Sequence, residues 1–117
     1  MKLYLTKDNS ANSLSTPEIS PVVSEVTVQV TSLDKYCKCN DINRIDLIKM
    51  DVEGAELLVL QGAQWVLSAL RPVIITEINR HTMARFGYTP TDLVAFLERH
   101  GYRLQPIDGE ENAVAFP

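Results

Sequence analysis

Three carboxylates stand close together in the run Asp51-Val52-Glu53-Gly54-Ala55-Glu56, and a fourth, Glu77, ends a later apolar run. Acids at such spacing can do three kinds of work. They can take a proton from a substrate, hold a hard cation through clustered oxygen ligands, or complement the positive end of a helix. His81 follows Glu77 by four residues and could serve as a base or ligand at the same rim, although a lone histidine in a polar loop is more often a solvated side chain. Lys49 alternates with Ile48 and Met50 in an extended stretch, which sets it up to pair with Asp46 or Asp51. Cys37 and Cys39 are one residue apart, a spacing unsuited to a disulfide. Only His81 and His100 could complete a zinc site with them, and neither has ligand spacing, so the thiols read as reduced and the pair as no metal site.

The elements that carry these acids follow from the run 45–70. Residues 45–50 form a short apolar stretch and read as a strand; the acidic turn 51–54 follows. Ala55, Leu58, Val59, Gly62, Ala63, Val66, Leu67 and Leu70 then recur at three- and four-residue steps, the spacing of one face of a single long helix. Arg71 suits the negative helix end and Pro72 stops it; residues 72–78 make a second strand. Strand–helix–strand with this crossover length predicts two parallel neighbours with a right-handed connection. Asp51 and Glu77 would then end adjacent strands at the carboxyl edge, where α/β proteins place their ligands. Glu53 and Glu56, in the first helical turn, are explained by the macrodipole at about 0.3–1 kcal/mol each. Asp51 is expected to be desolvated at a buried strand's tip, which costs more than the dipole returns. That makes Asp51 the foremost functional candidate, with Glu77 and Glu53 next. Trp65 lies off the main stripe and reads as packing against a second layer.

Elsewhere, residues 2–6 and 25–30 alternate as strands, and the Asn-, Ser-, Thr- and Pro-rich segment 7–20 reads as a loop. Thr31-Ser32-Leu33-Asp34 offers caps for a short helix through Tyr36 and Cys37, broken at 40–43. Residues 79–88 are polar and basic. Thr89-Pro90-Thr91-Asp92 is a strong helix start, with Leu93, Phe96 and Leu97 facing inward and Gly101 ending the helix. Segments 102–107 and 113–116, joined through 108–112, predict a terminal hairpin.

At 117 residues the chain is one domain, 45 % apolar and 22 % charged, in the range of ordinary globular proteins. A formal charge of -4 argues against nucleic acid or an anionic membrane as partner. No apolar run approaches the roughly 20 residues of a membrane span. The first residues turn polar too soon for a signal peptide, and with reduced thiols the expected setting is cytoplasmic.

The run IDLIKMDVEGAELLVLQGA, followed by RPVIITEI and flanked by VTVQVTSLD and HGYRL, resembles the signature of the FkbM family of S-adenosylmethionine-dependent methyltransferases. The resemblance implies a class I methyltransferase (Rossmann-like) fold, a doubly wound sheet whose fourth and fifth strands end at Asp51 and Glu77 and whose closing hairpin supplies the sixth and seventh. It implies methyl transfer to a hydroxyl of a small molecule or glycan, with Asp51 where donor and acceptor meet and Glu53, Glu77 and His81 as further catalytic candidates. The family's glycine-rich turn and ribose-binding acid have no counterpart, because no two of Gly54, Gly62, Gly87, Gly101 and Gly109 stand close enough to form that turn. The chain therefore reads as the C-terminal half of such an enzyme, a single partial domain over 1–117, inactive alone. It is expected to use S-adenosylmethionine only when an N-terminal half is supplied. A non-catalytic α/β module for protein–protein interaction is the alternative, and a divalent-metal site on Asp51, Glu53 and Glu77 a third. The strand 45–50 would lack one neighbour, so segment 2–6, segment 25–30 or a second copy of the chain is expected to cover its edge.

Overall fold

A strand pair opens the chain and a hairpin closes it, with two further strands alternating with the helices between them. The computed structural model describes residues 1–7, 12–17, 20–108 and 111–117. Along them run β1 (Lys2–Thr6), β2 (Val22–Thr27), α1 (Leu33–Cys39), β3 (Leu47–Met50), α2 (Glu56–Gln61), a π-helical turn (Val66–Leu70), β4 (Val73–Glu77), α3 (Arg80–Ala84), α4 (Pro90–Arg99), β5 (Arg103–Asp108) and β6 (Asn112–Phe116). Part of the expected loop 7–20, and the centre of the hairpin turn, lie outside the described residues.

The crossover predicted from sequence is present: β3 and β4 run parallel, with Leu47 opposite Val73 and Met50 opposite Thr76. The terminal hairpin folds back so that β6 pairs with β4, giving the order β3-β4-β6-β5 in one mixed sheet. β1 and β2 make a separate antiparallel pair, with Lys2 opposite Thr27 and an ion pair of 2.6 Å between Lys2 and Glu25. Matching β1 in this register draws the second strand back to Val22–Thr27 from the expected 25–30. Neither strand covers β3, so of the three expected partners the two within the chain are not the ones used. The hairpin satisfies its hydrogen bonds internally, and β3 remains the edge of its sheet among the described residues.

Burial alternates along the sheet. Met50, Ile74, Thr76, Ala113 and Ala115 are buried on one face, in a core shared with Leu57, Leu60, Leu67, Met83, Leu93, Leu97 and Tyr102 from the other elements. On the opposite face Leu47, Lys49 and Phe116 are exposed, and Val73, Ile75 and Val114 are half-buried. A doubly wound sheet is covered on both faces; the described residues cover one. The architecture is thus a small α/β fold with a mixed sheet.

The crossover is not one continuous helix. α2 stops at Gln61, with Gly62 and Ala63 in a turn, and helix resumes at Gln64 before the π-helical turn. The cause is distant in sequence. The Asp34 carboxylate, in the first turn of α1, accepts the backbone N–H groups of Trp65 and Val66 at 2.9 and 3.0 Å. A carboxylate on the free N–H groups of a helical start is a cap, and it fixes a second beginning inside the crossover. The end is held by Arg71 in a left-handed conformation, its guanidinium donating to the carbonyls of His100 and Gly101. α4 follows its sequence signal closely: Thr89 and Asp92 form a reciprocal capping box, Pro90 occupies the first turn, and Gly101 follows the C-cap with φ +78°.

Candidate functional site

Because Met50 pairs with Thr76, the next residues, Asp51 and Glu77, stand at neighbouring strand tips. The expected desolvation of Asp51 is not found. Its side chain is 64 % exposed and paired with Lys49 at 3.1 Å, because β3 is an edge strand and its tip is open to solvent. The pairing expected of Lys49 is the one observed.

The chain then turns through two consecutive left-handed residues, Glu53 (φ 51°) and Gly54 (φ 96°). α2 begins only at Glu56, so Glu53 precedes the helix and is not a first-turn residue. Gly54 lies directly on the backbone of α3: a Cβ there would meet the Thr82 carbonyl oxygen at 2.3 Å. The acidic turn is therefore seated on the element that follows β4. That element is helical where the sequence suggested a loop; Asn79 caps it, its side-chain oxygen accepting the N–H groups of His81 and Thr82. His81 is exposed on this short helix and does not join the acids.

Glu77 is half-buried, and its carboxyl is pushed above the usual range, first by burial and then by the negative charges of Glu53, Glu56 and Asp51, in that order. A hydrogen bond from the Asn79 side chain acts in the opposite direction. Asn79 thus serves both acid and helix, and its N-cap signature ahead of 80–84 is a local signal that could have found it. Glu53, Glu56 and Asp51 each repel the Glu77 carboxylate, while His81 lies on the surface.

Two further residues were not singled out for this role by sequence reasoning. Glu56 is completely buried; its carboxylate accepts the Gly54 N–H at 3.3 Å and meets the Tyr88 hydroxyl at 3.1 Å. The same hydroxyl stands 2.8 Å from the Gly54 carbonyl, so its single proton is shared between that oxygen and the Glu56 carboxylate, and it accepts the Leu57 N–H at 3.3 Å. Burial drives the Tyr88 phenol well above its ordinary value. Tyr88 lies 32 residues from Glu56, and nothing in the local pattern announces the pairing.

Among the described residues no three His, Cys, Asp or Glu side chains come together to hold a metal ion. Cys37 is buried and Cys39 exposed, both as free thiols. The one glycine at the tip of a parallel strand, Gly54, has its Cα face filled by Thr82 and its N–H bonded to Glu56, so it offers no open cradle for a nucleoside-bearing methyl donor. The described residues do not fit a complete donor site. No helix among them is long and apolar enough to cross a membrane.

Asp51 and Glu77 thus stand at the carboxyl ends of two parallel strands, the edge at which open α/β sheets generally bind ligands. The family model described as "Methyltransferase FkbM domain" matches residues 1–104, and the chain belongs to that family. No curated protein and no solved structure matches it.

Proposed function

We propose that this domain is the acceptor-side part of an S-adenosylmethionine-dependent O-methyltransferase, acting on a hydroxyl of a small molecule or glycan. The observation that carries the reading is Glu77: a half-buried carboxyl at a strand tip, raised by burial and by Glu53, in a member of a methyltransferase family. A carboxylate of raised pKa is a better proton acceptor than an ordinary one, and a hydroxyl must lose its proton as it is methylated. In this reading Glu77 takes that proton, and Glu53 tunes it. Asp51, exposed and held only by Lys49, is available to exchange that partner for donor or acceptor. His81 has the weakest case, being exposed and apart from the acids.

The methyl group comes from S-adenosylmethionine once a donor-binding segment, absent among the described residues, completes the site. The outer edge of β3 is where such a segment would add a strand. The test joins the chain to the donor-binding half of an FkbM-family methyltransferase and measures methyl transfer to a panel of hydroxyl acceptors. The 117-residue chain alone should neither bind S-adenosylmethionine in calorimetry nor transfer methyl, whereas the joined protein should be active and lose activity with Glu77→Gln. Micromolar donor binding by the chain alone, or full turnover by the Glu77→Gln protein, refutes the reading.

The open edge of β3 and the exposed Leu47 favour a second reading, a non-catalytic module that associates with another chain. It predicts a dimer at micromolar concentration in sedimentation velocity. A monomer at all concentrations removes it.

A further inference from the structure

We infer that Glu56 and Tyr88 are positioning residues, a clasp on Gly54 that holds Glu53 in its left-handed conformation in the turn beyond the β3 tip; the role rests on the reading of Glu77 as the proton acceptor. A carboxylate taken wholly out of water is costly unless its oxygens are satisfied. The ion pairs among the described residues are Lys2–Glu25, Arg44–Asp46 and Lys49–Asp51, so none of them compensates Glu56. Its partners are instead the backbone of the acidic turn and a tyrosine hydroxyl. Together the two side chains grip both polar groups of Gly54: the carboxylate takes its N–H, and the hydroxyl meets its carbonyl. The Thr82 backbone closes the third side. Gly54 therefore has no freedom to rotate, and the residue before it inherits the constraint.

That residue is Glu53, with φ 51°. A non-glycine residue remains left-handed only where its surroundings over-determine it, and such positions gather at functional sites. Glu53 carries no glycine-like licence for this conformation, so the clasp on its neighbour must supply the hold. The consequence falls on Glu77, whose carboxyl feels Glu53 more strongly than Glu56 or Asp51. Released from the left-handed region, Glu53 would redirect its side chain and its repulsion on Glu77 would change.

The test needs neither methyl donor nor acceptor, so its outcome is independent of whether methyl transfer is found. Tyr88→Phe keeps the ring and deletes the hydroxyl. In the isotope-labelled 117-residue chain, the Cα and Cβ chemical shifts of Glu53 report its backbone region, and carboxyl carbon titration reports Glu77. Asp51, Glu53, Glu56 and Glu77 are followed together, with Lys49 as the cation next to Asp51. Tyr88→Phe should remove the left-handed signature of Glu53 and shift the Glu77 midpoint, with core methyl resonances unchanged. A second pair separates geometry from charge: Glu56→Gln retains an acceptor for Gly54 and a donor for Tyr88, so Glu53 should stay left-handed, whereas Glu56→Ala should release it. An unchanged Glu53 in both Tyr88→Phe and Glu56→Ala overturns the inference. Collapse of the core methyl spectrum in Tyr88→Phe also overturns it, because the hydroxyl would then hold the fold and not the turn.

Discussion

Replacing Gly54 with alanine, beside the same change at Gly87, isolates the contact that seats the acidic turn. Both glycines are left-handed, at φ +96° and +77°, so both substitutions carry a conformational cost of about 1–2 kcal/mol. They differ in what the new methyl meets. At Gly87 nothing lies within 4 Å, whereas at Gly54 the methyl would stand 2.3 Å from the Thr82 carbonyl oxygen and 2.4 Å from its carbon. Ordinary contact begins near 3.4 Å, so the turn or α3 must move by about an ångström. Overpacking against backbone costs about 1–3 kcal/mol, so Gly54→Ala should lose about 2 kcal/mol more than Gly87→Ala. In a domain of this size that difference lowers Tm by about 8 °C, and it consumes a large part of a typical stability of about 5–15 kcal/mol. The assay is urea denaturation followed by far-ultraviolet circular dichroism, read at the midpoint with the m-value as a check on two-state behaviour. If the two variants, compared through their midpoints at a common m-value, fall within about 0.5 kcal/mol of each other, the acidic turn is not locked to α3 and the seat described for it is wrong.

Asp34→Ala removes both N–H partners of the second helical start in the crossover and should cost about 2 kcal/mol, the worth of a charged cap; a loss under about 0.5 kcal/mol would show that Trp65 and Val66 find other acceptors. The Tyr102 hydroxyl is buried with no hydrogen-bond partner among the described residues, so Tyr102→Phe should raise stability by about 1 kcal/mol, and a fall in the urea midpoint would contradict that. Glu77 has its folded value above its unfolded one, so its contribution is fully present below the ordinary carboxylate range and is lost as pH rises through the raised value. Wild type should therefore lose stability relative to Glu77→Gln over that interval, and parallel stability–pH curves would refute the shift.

What the sequence disclosed was what neighbours in the chain decide. The capping box at Thr89 and Asp92, the inward triplet Leu93, Phe96 and Leu97, and the glycine stop at Gly101 are all local, and α4 follows them. The parallel pairing of β3 and β4 also follows from one continuous segment and its crossover length. The misreadings share a distant cause. The crossover breaks because Asp34 caps Trp65 and Val66 from 31 and 32 residues away, a bond that no periodicity count within 55–70 can register. Glu56 was explained by the dipole of its own helix, when Tyr88 is what lets it be buried. Asp51 was expected to be desolvated because its strand was treated as interior; the choice of β1 by β2 left β3 at an edge, and the exposure of Asp51 follows from that. Of the candidate site, the sequence disclosed the acids and their strand tips but not the left-handed turn through Glu53 and Gly54.

The bond from Asp34 to Trp65 has an optical consequence. Trp65 is the only tryptophan of the chain; its backbone is anchored by α1, and the ammonium of Lys38, on the same helix, lies 5.3 Å from the centre of its ring. A cation over an indole face alters its emission, so the intrinsic fluorescence of this protein reports the docking of α1 on the crossover and not the integrity of the sheet. If α1 detaches before the sheet melts, the fluorescence transition will precede the loss of ellipticity, and the gap between the two curves will measure how far that one helix acts as a separate cooperative unit.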